Sequence, residues 1–377
     1  MKIVILVTWG NTFGKRGVYN RQEVGLARGL ASLGHDVLIL KAVRAGEEPM
    51  VEQLGDHCIL RDITTQMIGN NGMFRGEYLR HLAEFKPDAL VMFADLQMCV
   101  TAVSRWCKRN GVFYLPYVGS IITHKRGRKA VEAFSRFRNL KVYRSGPILA
   151  KTDAIAAELR AQGVTDIQVL PVGLDTTELR SPTAQSRVEA KTSLGFEDGP
   201  IVGFVGRMEP DKHPLLLPGI LAELRKIGPW QMAILGDGHM ANEVERGFQE
   251  LNLIPYMKRI NSMPNPETWK LYCASDVVIN TNPGEVFGMC VLESLYYGTP
   301  VVAVEAPGPR TILRNGIDGY LAAYQAADIA KYVNKAYDER AQMGIAGQER
   351  IASSFSWQAR GRIIEDLIKK RQLRASP

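Results

Sequence analysis

The chain has few cysteines, no long apolar run and no repeating unit, and each lack removes a class of protein. Its five cysteines, Cys58, Cys99, Cys107, Cys273 and Cys290, are odd in number and scattered, and no two stand in C-x-x-C spacing. A disulfide framework and a zinc motif are therefore not indicated, and a reducing compartment is the simplest home. No stretch approaches the ~18 consecutive apolar residues of a membrane-spanning helix. The opening M-K-I-V-I-L-V-T-W-G imitates a secretion signal for a few residues, but its apolar run stops at Val7 and reads as a first strand. No period of 20–50 residues recurs, which argues against solenoids and propellers. The expectation is a cytoplasmic globular protein.

What is present fits that expectation. Hydrophobic residues make up 46% and charged residues 23% of the chain, an ordinary soluble balance. At 377 residues, one compact core is less economical than two domains. The net charge of +8 is uneven: residues 125–144 alone carry eight Lys and Arg against one acid. With His124 just ahead, this segment places Ala130, Val131, Phe134 and Phe137 on one helical face and its cations outside it. Such a helix can rest on an anionic membrane, each cation contributing about 1 kcal/mol at most, or pack on its own domain with a solvated basic face. Nucleic acid is not expected, since no recognition motif or aromatic platform accompanies the charge.

Apolar runs alternate with helix-like segments throughout. In the first half, strands are predicted over 3–7, 36–40, 89–93, 112–115 and 167–170, and helices over 20–33, 74–85, 96–110 and 153–162, with Gly34 and Gly163 as terminators. In the second half, strands at 201–205, 231–235, 277–281 and 301–304 alternate with helices near 213–227, 240–251, 266–274 and 287–297. This is the pattern of an α/β protein with doubly wound parallel sheets. Residues 176–200 are polar, with two prolines and two glycines, and read as the linker.

Two stretches carry chemistry. In E-V-F-G-M-C-V-L-E, Glu285 would stand at the positive end of the 287–297 helix, where unpaired N–H groups favour anions. Eight residues on, Glu293 would lie about 12 Å deeper along the axis. Two carboxylates repel phosphate but accept hydrogen bonds from hydroxyls, so the pair suits a ligand with phosphate in the middle and hydroxyls at both ends, a nucleotide sugar. The bland alternative is an acidic helix start and an ordinary surface glutamate. Arg207 and Lys212, in G-R-M-E-P-D-K, follow the buried strand I-V-G-F-V; two cations at a strand's carboxyl end suit a diphosphate, although either could be a solvated surface charge.

V-L-P-V-G-L-D (169–175), G-R-M-E-P-D-K, L-G-D-G (235–238), E-V-F-G-M-C-V-L-E with G-T-P-V-V, and G-I-D-G-Y-L (316–321) occur in order. Together they resemble the retaining glycosyltransferases of family four, the glycosyltransferases group 1. The resemblance is dense from about residue 169 to 321 and sparser before. It implies the GT-B fold: two Rossmann-type domains facing across a cleft, residues 1–178 on the acceptor side, 179–355 binding the nucleotide sugar, and 356–377 a helix returning to the first domain, with Ser356 a plausible N-cap. It implies that Arg207 and Lys212 grip the donor diphosphate, that Glu285 faces the donor sugar and Glu293 the ribose diol. The backbone at Phe287 and Gly288 would meet the phosphate, and Gly236 would lie near the base. Gly17, in the loop after the first strand, would let the backbone approach the phosphates or would simply be a turn glycine; Lys15 and Arg16 beside it would meet the ligand or solvent.

The chain also departs from the family. Many relatives carry a histidine near the anomeric centre, where this sequence reads V-M-F-A-D-L-Q and Y-L-P-Y-V-G-S. Asp95 is the nearest polar substitute there, either as a catalytic group or as a cap of the next helix. Arg310 stands where relatives often have a glutamate. No D-x-D occurs, which disfavours the metal-dependent class and implies neither metal nor cofactor beyond a UDP- or GDP-sugar donor. By the family's front-face scheme the acceptor hydroxyl, of a sugar or a lipid-linked sugar, attacks on the side of the departing diphosphate. The implied setting is bacterial surface polysaccharide or glycolipid synthesis, at the inner face of the membrane if 124–144 binds there. Three alternatives stand beside this reading: a sugar-nucleotide epimerase, a phosphorylase of the same fold, and a non-catalytic nucleotide-sugar-binding scaffold.

Overall fold

The structure, a computed structural model, describes residues 1–9, 21–44, 46–69, 71–95, 97–119, 129–177, 179–196 and 198–375. The chain divides into two compact units, Met1–Gly173 with Ser356–Pro377, and Leu174–Phe355.

The first unit runs β1 (Lys2–Val7), α1 (Gln22–Ala31), β2 (Asp36–Val43), β3 (Val51–Gly55), β4 (Cys58–Thr64), β5 (Met67–Ile68), β6 (Asn71–Gly72), α2 (Glu77–Phe85), β7 (Ala89–Phe93), α3 (Val100–Arg109), β8 (Phe113–Val118), α4 (Lys129–Tyr143), β9 (Ile148–Ala150), α5 (Asp153–Ala161) and β10 (Ile167–Val169). Eight of these strands form one sheet in the order β10-β9-β8-β7-β1-β2-β4-β3, parallel except for the edge strand β3, which runs antiparallel to β4. Ile3, Val4, Ile5 and Leu6 are all fully buried, as a parallel strand covered on both faces requires.

The second unit contains α6 (Ala184–Leu194), β11 (Ile201–Val205), α7 (Leu217–Ile227), β12 (Gln231–Leu235), α8 (Ala241–Glu250), β13 (Met257–Ile260), α9 (Trp269–Ala274), β14 (Val277–Asn280), α10 (Met289–Tyr296), β15 (Val301–Val304), α11 (Pro307–Ile312), β16 (Gly319–Ala322), α12 (Ala326–Asp338) and α13 (Arg340–Ser354). Its six-stranded sheet is parallel throughout, in the order β13-β12-β11-β14-β15-β16. The strand order reverses between β11 and β14 here, and between β1 and β7 in the first unit. In sheets of this kind, ligands bind outside the carboxyl ends of the strands at those two points.

The final helix, α14 (Trp357–Ala375), belongs to the first unit and packs on α1. Its start is capped by Ser356, whose Oγ accepts the Ala359 amide at 3.3 Å. A Cβ on Gly25 would fall 2.1 Å from the Trp357 indole nitrogen, and one on Gly29 would fall 2.4 Å from the Trp357 carbonyl oxygen. These two helical glycines, each costing about 1 kcal/mol against alanine, provide the seat for the tryptophan.

Three sequence expectations need correction. The linker at 176–200 holds α6, started by a capping box in which Thr183 accepts the Ser186 amide and Ser186 accepts that of Thr183. Its polar composition hid a helix that packs on α9. The 213–227 helix begins only at Leu217; two 3-10 turns, Pro210–Lys212 and Pro214–Leu216, precede it, because Pro214 cannot sit in a helix interior. The 287–297 helix starts at Met289, since Gly288 adopts φ 91°.

Candidate functional site

The loops after β11 and β12 lie directly against one another. The Gly206 amide donates to the Leu235 carbonyl at 3.0 Å, and the Met208 amide to Asp237 at 2.8 Å. A Cβ on Gly236, at φ +152°, would sit 1.9 Å from the Gly206 oxygen, and one on Gly238 would sit 2.5 Å from that of Met208. Only glycine fits either position. The chain then makes its turn at Pro210–Lys212, and His213 takes left-handed backbone angles (φ 49°, ψ 47°) with its ring 2.8 Å from the Tyr324 hydroxyl. The Thr281 hydroxyl, just past β14, donates to the Lys212 carbonyl at 2.7 Å.

That hydrogen bond brings the ends of β11 and β14 together, and the side chains complete the contact. Lys212 Nζ lies 2.6 Å from Glu285 Oε2, and Asn282 Nδ2 donates to the same oxygen at 3.3 Å. The turn carrying Glu285 is built from its own polar groups: the Asn282 amide donates to Asn280 Oδ1 at 3.1 Å and the Gly284 amide to Asn282 Oδ1 at 2.8 Å. From the other side, the Gly308 amide donates to the Glu285 carbonyl at 2.8 Å. Phe287 is buried, and its carbonyl oxygen would lie 2.3 Å from a Cβ on Gly308.

Because α10 begins at Met289, half of the path from Glu285 to Glu293 is turn rather than helix, and the even helical rise inferred from the spacing does not hold. Glu293 sits on the second turn and accepts the Tyr272 hydroxyl at 2.5 Å. Burial pushes its carboxyl up to about 7, with the Tyr272 hydrogen bond pulling the other way. The Cys290 thiol is pushed up to about 12 by burial, with Glu285 and Glu293 adding to the shift and Lys212 opposing it. Arg207 stands apart from this cluster. Its side chain is 59% exposed and pairs with Asp211 at 2.8 Å. Arg310 lies on α11 rather than in a loop after β15, and pairs with Glu305.

In the first unit, Asp95 follows β7 and accepts the Gly119 amide and, at 3.3 Å, Lys151 Nζ. It therefore ties the ends of β7, β8 and β9 together and does not cap the next helix, whose N-cap is Cys99. Lys151 also lies 5.4 Å and 5.3 Å from the ring centres of Phe93 and Tyr117. Gly17, Lys15 and Arg16 lie outside the described residues, as do His124 and the side chains of Ala130, Val131 and Phe134. Phe137 is not on the packed face of α4: it is 60% exposed with Lys141 Nζ 4.7 Å from its ring, while Leu140 and Tyr143 are buried. No helix among the described residues is long and apolar enough to cross a membrane.

Sequence reasoning missed Lys151, Tyr272, Thr281 and Asn282. Lys151 was within reach, since it is the first charged residue after the apolar strand I-L-A, the same signal that marked Asp95. The other three act through bonds that only the fold reveals.

Comparison with known proteins bears on the family and the fold. Residues 186–350 match the model of the family described as "Glycosyl transferases group 1". A D-inositol 3-phosphate glycosyltransferase of Nocardia farcinica is 30% identical over 203 residues, covering 51% of this chain and 44% of that protein. A GDP-mannose-dependent alpha-mannosyltransferase of Mycobacterium tuberculosis is 26% identical over 294 residues, covering 75% and 74%. The chain thus spans under half the length of the first relative and about three quarters of the second. Among solved structures, sucrose-phosphate synthase from Thermosynechococcus elongatus superposes with TM-score 0.76 over 100% of both chains at 19% identity. Anabaena HepE, solved in complex with UDP, does so with TM-score 0.76 over 98% of this chain and 100% of that one at 16% identity. The fold is therefore that of the GT-B glycosyltransferases. Residues 186–350 thus match the family that the chain's motifs resemble.

Proposed function

We propose that this chain transfers a sugar from a UDP- or GDP-sugar to an acceptor hydroxyl with retention of anomeric configuration and without a metal. The observation that carries the reading is the Lys212–Glu285 contact at 2.6 Å, at the point where the second sheet reverses its strand order. A diphosphate arriving there would replace Glu285 as the partner of Lys212. The same exchange would release the Glu285 carboxylate to accept hydroxyls of the donor sugar, so a single event would set both groups to work.

Arg207, exposed at the surface, exchanges Asp211 for the ligand and adds a second cation to the departing diphosphate. The acceptor oxygen bonds to the anomeric carbon as the carbon–oxygen bond to the diphosphate breaks, and the hydroxyl proton passes to the leaving phosphate oxygen. Glu293 holds the ribose diol. Asp95 is the acceptor-side candidate, with Gly17 beside the phosphates. Relatives named for inositol phosphate and for GDP-mannose, and a neighbour solved with UDP, make a hydroxyl-rich acceptor and either base reasonable choices. We place the enzyme in the cytoplasm in surface polysaccharide or glycolipid synthesis, with 124–144 as its contact to an anionic membrane.

Nucleotide release from a panel of UDP- and GDP-sugars, with and without chelator, tests this. One donor should support acceptor-dependent release that chelator leaves unchanged. Consumption of donor without acceptor would make the chain an epimerase. Tight nucleotide binding with no turnover on any donor and acceptor would make it a scaffold.

A further inference from the structure

Asp276 immediately precedes β14, at the end opposite Asn280, and lines a cavity of about 480 Å³ within the second unit. The cavity is walled by α6, by α13 and by the turn Tyr297–Gly298 after α10. Asp276 is 3% exposed and accepts the Ile201 amide at 2.9 Å. Arg187 pairs with it, Arg340 Nε lies 3.5 Å from it, and Lys191 Nζ lies 3.9 Å from it. Three cations thus share one carboxylate, and the cluster keeps two positive charges. Neutralising Asp276 requires only one of them. The side chains of Arg187 and Arg340 are each 41% exposed and both line the cavity.

We propose that this cavity binds a small organic phosphate, a phosphate monoester, at a site separate from the Lys212–Glu285 pair. Arg340 Nη1 donates to the Tyr337 carbonyl at 2.6 Å and Arg187 Nη1 to that of Ser275 at 3.4 Å. The remaining N–H groups of the two guanidinium groups suit the oxygens of a phosphate, whose charge offsets the surplus of the cluster. The volume falls in the range of small-molecule pockets, larger than an inorganic anion needs. Close packing shapes the wall: a Cβ on Gly344 would stand 2.4 Å from the Gly298 oxygen, so α13 lies directly on the turn that closes the cavity. The Tyr297 ring gives the organic part of the ligand an apolar surface, and Ile345, 61% exposed, lies on the rim. The inference does not depend on the nucleotide-sugar reading.

Calorimetric titration of the full chain with glycerol 3-phosphate tests it. Saturable one-site binding is expected. Ile345→Glu places a carboxylate on the rim without touching any of these ion pairs and should weaken binding by about tenfold or more. Arg340→Gln, which leaves Arg187 and Lys191 on Asp276 and so preserves the fold, should do the same. Lys212→Ala should leave the affinity within about twofold. The proposal fails if the unaltered chain shows no saturable binding, if Ile345→Glu and Arg340→Gln bind as well as it does, or if binding disappears in Lys212→Ala.

Discussion

The two units share a strand plan but finish the ends of their central strands differently. Among the described residues, the first unit holds neutral polar groups between β1 and β7, with the Asp95–Lys151 pair at the neighbouring strand ends. Thr8 and Gln97 are almost fully buried and bonded to each other, Cys99 Sγ lies 3.1 Å from the Thr8 hydroxyl, and Asn139 Nδ2 donates to the Gln97 carbonyl at 3.0 Å. Between β11 and β14 the second unit instead places a partly exposed ion pair, Lys212 and Glu285, with Arg207 in solvent nearby in sequence. A closed neutral network fixes shape and has nothing to trade. An ion pair at a strand end can exchange one partner for a charged ligand, because the cation is then paired again by the ligand's charge. Among the described residues, the second unit therefore carries the ion pair placed to meet an anion.

The sharpest way to break this comparison is Lys212→Ala. It should lower kcat/KM by about 10²–10³, or ~2.7–4 kcal/mol of transition-state stabilisation. Activity within threefold of the unaltered chain would remove the ion pair from the chemistry. Backbone packing offers a second contrast, read by urea unfolding. Gly236→Ala drives a methyl into the Gly206 oxygen and should cost about 1–3 kcal/mol while weakening nucleotide binding. Gly146→Ala in the first unit meets nothing within 4 Å and should stay within about 0.5 kcal/mol.

Glu293 provides a test by pH. Its carboxyl is raised from 4.5 to about 7 by burial, so the folded state favours the protonated form. The stability it contributes is complete below pH 4.5 and is lost as pH rises through 7, a change on the order of 2–3 kcal/mol. Glu293→Gln keeps an acceptor for Tyr272 and cannot titrate. The slope of stability against pH between 4.5 and 7 should therefore flatten in this variant, and above pH 7 the variant should be the more stable. Nucleotide affinity should move the other way in the unaltered chain, rising through pH 7 as the carboxylate forms to accept the ribose hydroxyls. An unchanged slope in Glu293→Gln would show that the carboxyl titrates normally.

Much of this architecture is legible in the sequence because parallel strands buried on both faces read as unbroken apolar runs. Ile3 to Leu6 and Ile201 to Val205 are examples. What escapes notice is whatever lacks that signature. The α6 helix is polar and announces itself only by its Thr183 cap, and the short strand β9 is three residues long. Lys212 could be singled out because it follows a strand, and Glu285 because it stands just ahead of a helix. Their meeting across 73 residues could not, since it depends on β11 and β14 being neighbours. The start of α10 was misplaced for a similar reason: periodicity carries Phe287 into the helix, and only the backbone angle of Gly288 excludes it.

Asp95 is where the comparison can be refined most finely. Its two ties, to the Gly119 amide and to Lys151, make it a clamp on three strand ends, and a clamp acts on geometry rather than on protons. Asp95→Asn keeps an oxygen for the Gly119 amide and loses the charge opposite Lys151. If Asp95 only positions the loop, kcat should fall by less than about tenfold, ~1.4 kcal/mol, with KM for the acceptor carrying most of the change. Asp95→Ala with Lys151→Met should then cost no more than the larger of the two single changes, because both break one contact. If instead Asp95 touches the reacting groups, Asp95→Asn should cut kcat by about 10²–10⁴ and Lys151→Met by much less. Steady-state kinetics on these four variants separates the two roles, and the second outcome would give the first unit a charged working group of its own.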